Sequence, residues 1–472
     1  MTRGGCGLLC AASLFLCACS ARVPLESPHA PAVDAQTLIR RGCYSCLEAA
    51  FAAATDSGAG DTAFETALLL TLRSKELGLP FSHWLERARA SMPASLGWHD
   101  YVEMVASLPA DPWSGDRDEI LIESSRHRRP RPALDEWRRQ LTTGPGSSVF
   151  RAYLDLSLAC GPFMTDQRET ATAAVLQQFG DVPLLEYRVA TCGQTSPLHV
   201  LLDNDPDFVD VHLELGRSAL QRERPDHDEA LSRFRSAGAA FPASPTITAS
   251  IGGVHQEREE WTGALDAYDA TLALVPSHRD ALLGRAVSLS HLLRHDAAVA
   301  SATRLLELGN WFVADAHYWR AWNEYRQGLI PAARADVDRA KALNRDAPTL
   351  ILSGVIGWRE KQLESAETEF EAALNLDYGQ CEAASYLGGV RAERQEWPES
   401  LAAFQHAEQC FELSLVARRK AIEELSAAES STETASRQIA SHERAIAEAE
   451  MRRDEAARSA AAIRRHLSSV SR

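Results

Sequence analysis

Residues 381–407 read CEAASYLGGVRAERQEWPESLAAFQHA, which is two helical patterns separated by a short polar turn. Within each pattern the small and large residues recur three and four positions apart, so they fall on one face of a helix. Gly388 in the first helix permits a close approach, and Phe404 in the second supplies a ring that fills the space beside it. The stretch therefore predicts two antiparallel helices in close contact.

The same residue types recur with a spacing of 34 residues from about Val209 to Leu413. A single helix pair cannot bury its apolar face alone, so a repeated pair predicts neighbours that stack into a superhelix with a concave groove. The matching positions are Gly354 and Gly388, Phe370 and Phe404, Ala373 and Ala407, Ala264 and Ala298, and Leu363 and Trp397.

This pattern resembles the tetratricopeptide repeat, which has an aromatic residue or Leu, then Leu-Gly, a Tyr-like position, Ala, an aromatic residue, Ala and Pro. The resemblance is carried by Leu387-Gly388, Trp397, Phe404 and Ala407, by Leu215-Gly216, Ala230-Leu231, Phe234 and Pro242, and by Gly252, Trp261, Ala264, Tyr268 and Pro276. The alignment gives six units, at 209–244, 245–278, 279–312, 314–347, 347–380 and 381–414. The third and fourth depart from the pattern, because Ala286 and Ala321 stand where Gly is usual and neither unit closes with Pro. The resemblance implies an all-α solenoid of tetratricopeptide-type helical hairpins over residues 206–414.

Residues 36–205 are predicted to form an irregular helical domain that in parts looks like eroded repeats. No alternating β-branched run competes with the helical spacing. The predicted helices are 36–54, 61–77, 81–92, 98–107, 133–142, 147–160, 168–179 and 184–192. The prolines that punctuate them are Pro80, Pro93, Pro109, Pro112, Pro130, Pro132 and Pro145.

Residues 415–472 change character to a charged, Ala-rich helix with a heptad seam. One row of the seam is Leu425, Thr432, Ile439, Ile446, Arg453, Ala460 and Leu467, and the other is Ala428, Ala435, His442, Ala449, Ala456, Ile463 and Val470. Two arrangements fit this pattern. The helix folds back to cap the solenoid, with a hairpin broken near Ser430-Ser431 as a variant, or it self-associates with a second chain.

The first 19 residues, MTRGGCGLLCAASLFLCAC, have a positive start at Arg3 and an apolar run too short to span a bilayer, which is typical of a signal peptide. Leu16-Cys17-Ala18-Cys19 resembles the lipobox of bacterial lipoproteins. That resemblance implies removal of residues 1–18, lipidation of Cys19, and a Pro-rich tether over 19–35. Since Ser20 rather than Asp follows, the sorting rule of such lipoproteins implies the outer membrane, facing the periplasm.

Six cysteines remain after Cys19, and an oxidising compartment favours disulfides for them. Cys381 begins the first helix of its unit and Cys410 lies near the end of the second, so antiparallel packing brings them together. Cys160 and Cys192 each end a helical stretch and make a second plausible pair. Cys43 and Cys46 lie inside an apparent helix beginning near Ala35, which favours a local bridge or two buried thiols over a redox or metal site.

Composition and motifs exclude several classes of function. The 472 residues are 45% hydrophobic and 24% charged, as in soluble globular proteins, and the net charge of −16 opposes nucleic-acid binding. We find no HExxH, GxSxG, phosphate-binding loop or dinucleotide fingerprint, so we expect no catalytic residue, cofactor or metal. The basic run from Arg126 to Arg131 is broken by Pro130 and is typical of a solvated loop, although it can also meet an anion.

The family resemblance also implies which first-helix positions line the groove. In the fourth unit these are Asp315, Tyr318, Trp322, Tyr325 and Arg326, and in the fifth they are Ile351, Val355, Trp358 and Arg359. The second and sixth units place small residues there, namely Ala249, Gly253, Ser385 and Gly389. Aromatic residues and arginines are typical interface anchors, so the groove is predicted to bind a partner. The alternative is burial of Tyr318 or Trp322 between helices, because Trp319 is adjacent. Members of the family that bind the C-terminal carboxylate of chaperones use Lys and Asn at set groove positions. Other residues occupy those positions here, so the resemblance does not imply that class of partner.

These observations favour an envelope lipoprotein that catalyses nothing and binds a protein or peptide, as a scaffold in envelope assembly, a pilus or a secretion complex. The alternative is a cell-wall glycan-binding or lipid-binding lipoprotein, or an accessory subunit of an envelope enzyme. That alternative uses Trp84, Trp98 and Trp113 of the N-terminal half as exposed platforms. Burial of these tryptophans would favour the scaffold.

Overall fold

The computed structural model describes residues 34–94, 98–108, 131–160, 167–192, 198–223, 225–309, 311–427 and 433–470. Within these ranges every regular element is a helix. The predicted signal peptide, the lipobox with Cys19, the tether as far as Val33 and residues 126–130 of the basic run lie outside the described residues.

The N-terminal half consists of short helices packed around α3, which is buried along nearly its whole length. These helices are α1 (Ala35–Arg41), α2 (Tyr44–Asp56), α3 (Gly60–Leu77), α4 (Ser82–Ala90), α5 (Trp98–Ser107), α6 (Arg131–Thr143), α7 (Ser148–Ala159), α8 (Arg168–Phe179), α9 (Pro183–Thr191) and α10 (Leu198–Asn204). Sequence periodicity missed only α10 among them, and it placed Pro132 between helices, whereas Pro132 lies in the first turn of α6, where proline is tolerated.

The predicted helix 36–54 is wrong in one respect, because it breaks at Gly42. Gly42 has a left-handed φ of 77°, and a Cβ there would meet the backbone and side chain of Leu184. Cys43 then caps α2, with its Sγ accepting a hydrogen bond from the Cys46 backbone N–H at 3.1 Å. The Cys43 and Cys46 pair therefore lies at the start of a helix and not inside one.

Two buried cationic side chains hold the N-terminal half in place. One connects helices within this half, and the other connects it to the repeats. Lys75 donates to the carbonyls of Val105, Ala106 and Leu108 and so satisfies the C-terminal end of α5. Arg73 is fully buried, pairs with Glu76 and Asp210, and lies over the ring of Tyr187 at 3.8 Å. Asp210 directly precedes the first repeat helix. Both halves share one apolar core, which runs from Ile39 to Val254.

Six antiparallel helix pairs follow, one in each predicted repeat, and we number them units 1 to 6. They are α11 (Val211–Leu220) with α12 (His227–Ala240), α13 (Pro245–Glu257) with α14 (Trp261–Leu274), α15 (Arg279–His291) with α16 (His295–Leu308), α17 (Val313–Arg326) with α18 (Ile330–Leu343), α19 (Ala347–Arg359) with α20 (Leu363–Leu376), and α21 (Cys381–Glu393) with the start of α22 (Trp397–Ala427).

Within these pairs, glycines of the first helix lie against rings of the second. The contacts are Gly216 with Phe234, Gly252 with Tyr268, Gly354 with Phe370, and Gly388 with Phe404. The predicted all-α solenoid of tetratricopeptide-type hairpins is confirmed.

The turn between the two helices of a unit contains a left-handed residue in units 2 to 6. Only unit 4 uses glycine there, Gly328. The others are Glu259, Leu293, Lys361 and Gln395, with φ between 57° and 64°. A side chain in this conformation costs free energy because its Cβ approaches the following carbonyl oxygen.

Replacement of Leu293 by glycine is therefore expected to stabilise the protein by about 1 kcal/mol. Leu293 is 66% exposed, so its side chain loses little packing. Urea unfolding followed by circular dichroism measures the change. Leu329→Gly is the matched control, because Leu329 is an exposed leucine near the same turn of unit 4 but has a φ of −80°. Equal effects of the two changes would contradict the strain argument.

The C-terminal segment folds back on the last repeat. α23 (Glu433–Val470) runs antiparallel to α22, and the ring of His466 lies 4.3 Å from that of Trp397. Ala449, Ala456, Ala460 and Ile463 of the predicted seam are buried. The seam thus packs within the chain, in the hairpin variant of the fold-back arrangement. Ser430 and Ser431 lie outside the described residues.

Three disulfides are present among the described residues. They join Cys43 to Cys46, Cys160 to Cys192, and Cys381 to Cys410, with Cα separations of 4.9, 5.4 and 5.4 Å. These are the three candidate pairs named from the sequence.

Candidate functional site

The first helices of units 4, 5 and 6 enclose a groove with a cavity of about 890 Å³. We call it the aromatic groove. It contains eight of the predicted positions, Tyr318, Trp322, Tyr325, Arg326, Ile351, Val355, Trp358 and Arg359. Asp315 is not among its lining residues and lies exposed near the start of α17.

The aromatic side chains of α17 that line the groove are half-buried. One side of each packs on a small apolar core, and the other side faces the cavity. Tyr318, Trp322 and Tyr325 pack against a small buried cluster that includes Val337 and Ile356. Burial, with the charges of Asp346 and Glu382 nearby, raises the pKa of Tyr318 to about 12. Neither Tyr318 nor Trp322 is fully buried between helices. It is Trp319 that points away from the groove, with its ring 6.0 Å from that of His291.

Trp358 is held in a fixed orientation. Its Nε1–H donates to Oε1 of Glu393 at 3.0 Å, and Nζ of Lys361 donates to the other oxygen at 2.9 Å. The hydrogen bonds from Lys361 and Trp358 lower the pKa of Glu393, so this carboxylate is charged at neutral pH. The Trp358 ring lies over Gly389, where a Cβ would overlap the atoms of the ring. The small residue predicted at 389 therefore makes room for the indole.

Charge is distributed unevenly along the groove. Arg326 and Arg359, at the ends of α17 and α19, are exposed, and neither forms an ion pair with a described residue. Arg326 lies over Trp322 at 5.9 Å. At the other end, Arg452 of α23 pairs with Glu382 at 2.8 Å and with Glu448 at 2.9 Å. The uncompensated positive charge is thus at the Arg326 and Arg359 end.

Sequence reasoning missed the contribution of unit 6 and of α23. The sixth unit supplies Glu382, Tyr386 and Glu393 to the lining, whereas the predicted small residues Ser385 and Gly389 are not among the lining residues. A signal for Tyr386 was present, since Tyr318, Leu352 and Tyr386 are spaced by the 34-residue period and all three line the groove. Arg452 carries no local signal, because its position depends on the fold-back of α23.

Behind the groove, a buried polar cluster fixes α17 to α18. Asp336 accepts hydrogen bonds from Arg320, at 2.8 Å, and its Oδ1 lies 2.9 Å from Nδ1 of His317. Burial and the neighbouring Asp336 raise the pKa of Glu324 to about 7. These groups face the helix interface and do not line the groove.

The tryptophans that the structure describes in the N-terminal half are buried and form no exposed platform. Trp84 and Trp98 are only 6% and 2% exposed and belong to the main core. Trp113 lies outside the described residues. Among the side chains described, no group of His, Cys, Asp and Glu is arranged to hold a metal ion. None of the described helices is both long and apolar enough to span a bilayer.

Solved structures of tetratricopeptide repeat proteins are similar to parts of this chain. YrrB, a repeat protein with an unusual peptide-binding site, is 20% identical over 38% of this chain and 91% of its own, with a TM-score of 0.32. PilW, a type IV pilus biogenesis factor, is 14% identical over 43% and 91%, with a TM-score of 0.37. A repeat protein from Parabacteroides merdae is 16% identical over 62% and 99%, with a TM-score of 0.38. The similarity concerns the helical-repeat fold alone. No family model and no curated protein matches the chain.

Proposed function

We propose that this chain is a non-catalytic scaffold that binds a segment of another protein in the aromatic groove. The observation that supports it most is the convergence of Tyr318, Trp322, Tyr325 and Trp358 on one cavity of about 890 Å³. Large aromatic side chains that are partly buried in the free protein supply contact area at little cost in conformational entropy, which is why they anchor interfaces.

The charge pattern indicates the chemistry of the partner. Arg326 and Arg359 carry uncompensated positive charge on a chain whose net charge is −16. A guanidinium recognises a carboxylate with charge-assisted hydrogen bonds. The bound segment therefore carries an acidic side chain or its C-terminal carboxylate at this end of the groove. Its apolar residues then lie toward Tyr318 and Tyr386, where Arg452 is already paired with Glu382.

The cellular setting of the proposal is the bacterial envelope. The lipobox-like sequence ending at Cys19 supports a lipid-anchored protein of the outer membrane that faces the periplasm, and three disulfides fit an oxidising compartment. In that setting a rigid groove for an extended segment suits the assembly of an envelope, pilus or secretion complex.

Selection from a random dodecapeptide library on the immobilised chain tests the proposal. We expect selected peptides that combine acidic and apolar residues. Trp358→Ala and Tyr325→Ala should each weaken the binding of a selected peptide by about thirtyfold, because a central aromatic anchor contributes about 2 kcal/mol or more. Arg326→Ala with Arg359→Ala should weaken binding mainly at low salt. Fluorescence anisotropy measures the affinities.

The matched control is Tyr378→Ala, because Tyr378 is an aromatic residue that is 73% exposed and lies outside the groove. This variant should bind normally, and all variants should keep their helical content. Selection of Lys-rich peptides would contradict the proposed partner chemistry. Normal binding by the Trp358 and Tyr325 variants, with loss of binding after changes at Arg128 and Arg129, would place the site in the N-terminal half.

A further inference from the structure

The terminal helix α23 makes two different kinds of contact. Its middle and end pack through apolar side chains onto α22 and unit 6, where Ala449, Ala456 and Ile463 are buried. Its beginning reaches the first two units, at the opposite end of the solenoid. There the contact is made by polar side chains.

This second contact joins three side chains of α23 to three carboxylates. Arg437 lies 3.4 Å from Asp228 and 3.7 Å from Glu260, while Ser441 Oγ and an Arg444 nitrogen each lie 3.3 Å from Glu259. The arginines remain 43% and 66% exposed. Ion pairs this exposed are individually weak and are screened by salt.

Two of the three carboxylates that receive α23 are held in place by Arg258 of unit 2. Arg258 pairs with Asp228 at 2.7 Å and with Glu260 at 3.0 Å, and its side chain is only 9% exposed. Glu259 has a left-handed backbone in the turn between α13 and α14. The acidic side of the contact is therefore preformed, whereas α23 brings the opposite charge.

Little apolar packing supports the contact. A cavity of about 420 Å³ separates the α22 and α23 hairpin from units 1 and 2, and Ala421 and Leu425 of α22 face this space. The attachment of this part of α23 to units 1 and 2 thus depends on charge, unlike the apolar attachment of residues 449–463 to α22 and unit 6.

We propose that residues 435–445 are a strap, latched by charge, that ties the last repeat to the first two and fixes the length of the solenoid. Breaking the ion pairs of this latch frees the strap from units 1 and 2, while the rest of α23 stays packed on α22 and unit 6. The solenoid can then extend, since stacked repeats contact mainly their neighbours. The proposal does not depend on the function proposed for the aromatic groove.

Hydrogen exchange with mass spectrometry on the full chain tests the latch. The variant Arg437→Glu with Arg444→Glu should exchange about tenfold faster over residues 435–445, because local opening is no longer opposed by the ion pairs. Residues 449–463 should exchange as in the unchanged protein, which shows that the variant is folded. Salt at about 0.5 M should reproduce the effect in the unchanged protein.

Two further variants make the test specific. Arg464→Glu with Arg465→Glu changes the same charge on exposed positions of α23 outside the contact, and it should leave the exchange unaltered. Adding Glu259→Arg to Arg444→Glu should restore protection relative to Arg444→Glu alone. Small-angle X-ray scattering should find a larger maximum dimension for Arg437→Glu with Arg444→Glu than for the control Arg464→Glu with Arg465→Glu. Unchanged exchange would overturn the latch, and an unchanged dimension would overturn its role in fixing the length.

Discussion

Replacement of Gly388 by leucine is expected to lower the free energy of unfolding by about 3 kcal/mol or more, because the last helix pair has no room for a side chain at this position. A Cβ at 388 would lie 2.8 Å from the ring of Phe404. The hydroxyl of Ser400 also donates to the Gly388 carbonyl at 2.8 Å, so the two helices cannot separate without losing a buried hydrogen bond. Urea unfolding, with exchange protection of α21 and α22 as the local readout, measures the effect.

Gly253→Leu is the matched control for this change. Gly253 also lies in the first helix of a repeat, but a Cβ there would have no neighbour within 4 Å. Leucine is a better helix former than glycine, so this variant should be as stable as the unchanged protein or slightly more so. Equal destabilisation by both variants would mean that close packing at Gly388 does not matter.

Replacement of Cys19 by alanine is expected to release the protein completely from the membrane fraction. The lipid on Cys19 is the anchor in our proposal, and no later apolar run approaches the 18 residues needed for a membrane-spanning helix. Fractionation of cells, with immunoblotting of the soluble and membrane fractions, measures the distribution. Incorporation of labelled palmitate into the unchanged protein, and not into the variant, is the direct check on lipidation.

The matched control is Cys17→Ala, which keeps a small residue at a lipobox position that tolerates one. This variant should remain in the membrane fraction. A Cys19→Ala protein that stays in the membrane fraction after a high-salt wash would contradict the lipoprotein proposal, without bearing on the groove or the solenoid.

The repeats could be predicted from the sequence because their signal is local. Gly388 and Phe404 lie in one helix pair, and the same pair of types returns at Gly354 and Phe370. The groove positions follow from helical phase within a repeat, so Tyr318 and Trp358 could be predicted together.

Other features depend on information that helical phase does not contain. Gly42 was included within a helix, although glycine also ends helices in the left-handed conformation, and the choice is decided by the approach of Leu184. Arg452 enters the groove only because α23 folds back, and the orientation of Trp358 depends on Glu393 from the next unit. The acidic pair Glu259 and Glu260 carries no local signal of a contact with α23, because Arg437 and Arg444 lie far along the chain and reach it only in the folded structure.

The strap also has a consequence for the order in which the molecule folds. Arg437 and Asp228 are 209 positions apart, whereas each repeat helix contacts mainly the helices next to it along the chain. Repeats with local contacts can fold one after another during synthesis, from the N-terminal side. The strap can close only after the whole chain has been made, and the exposed ion pairs that hold it are individually weak. Closure is therefore the last and most easily reversed step of folding.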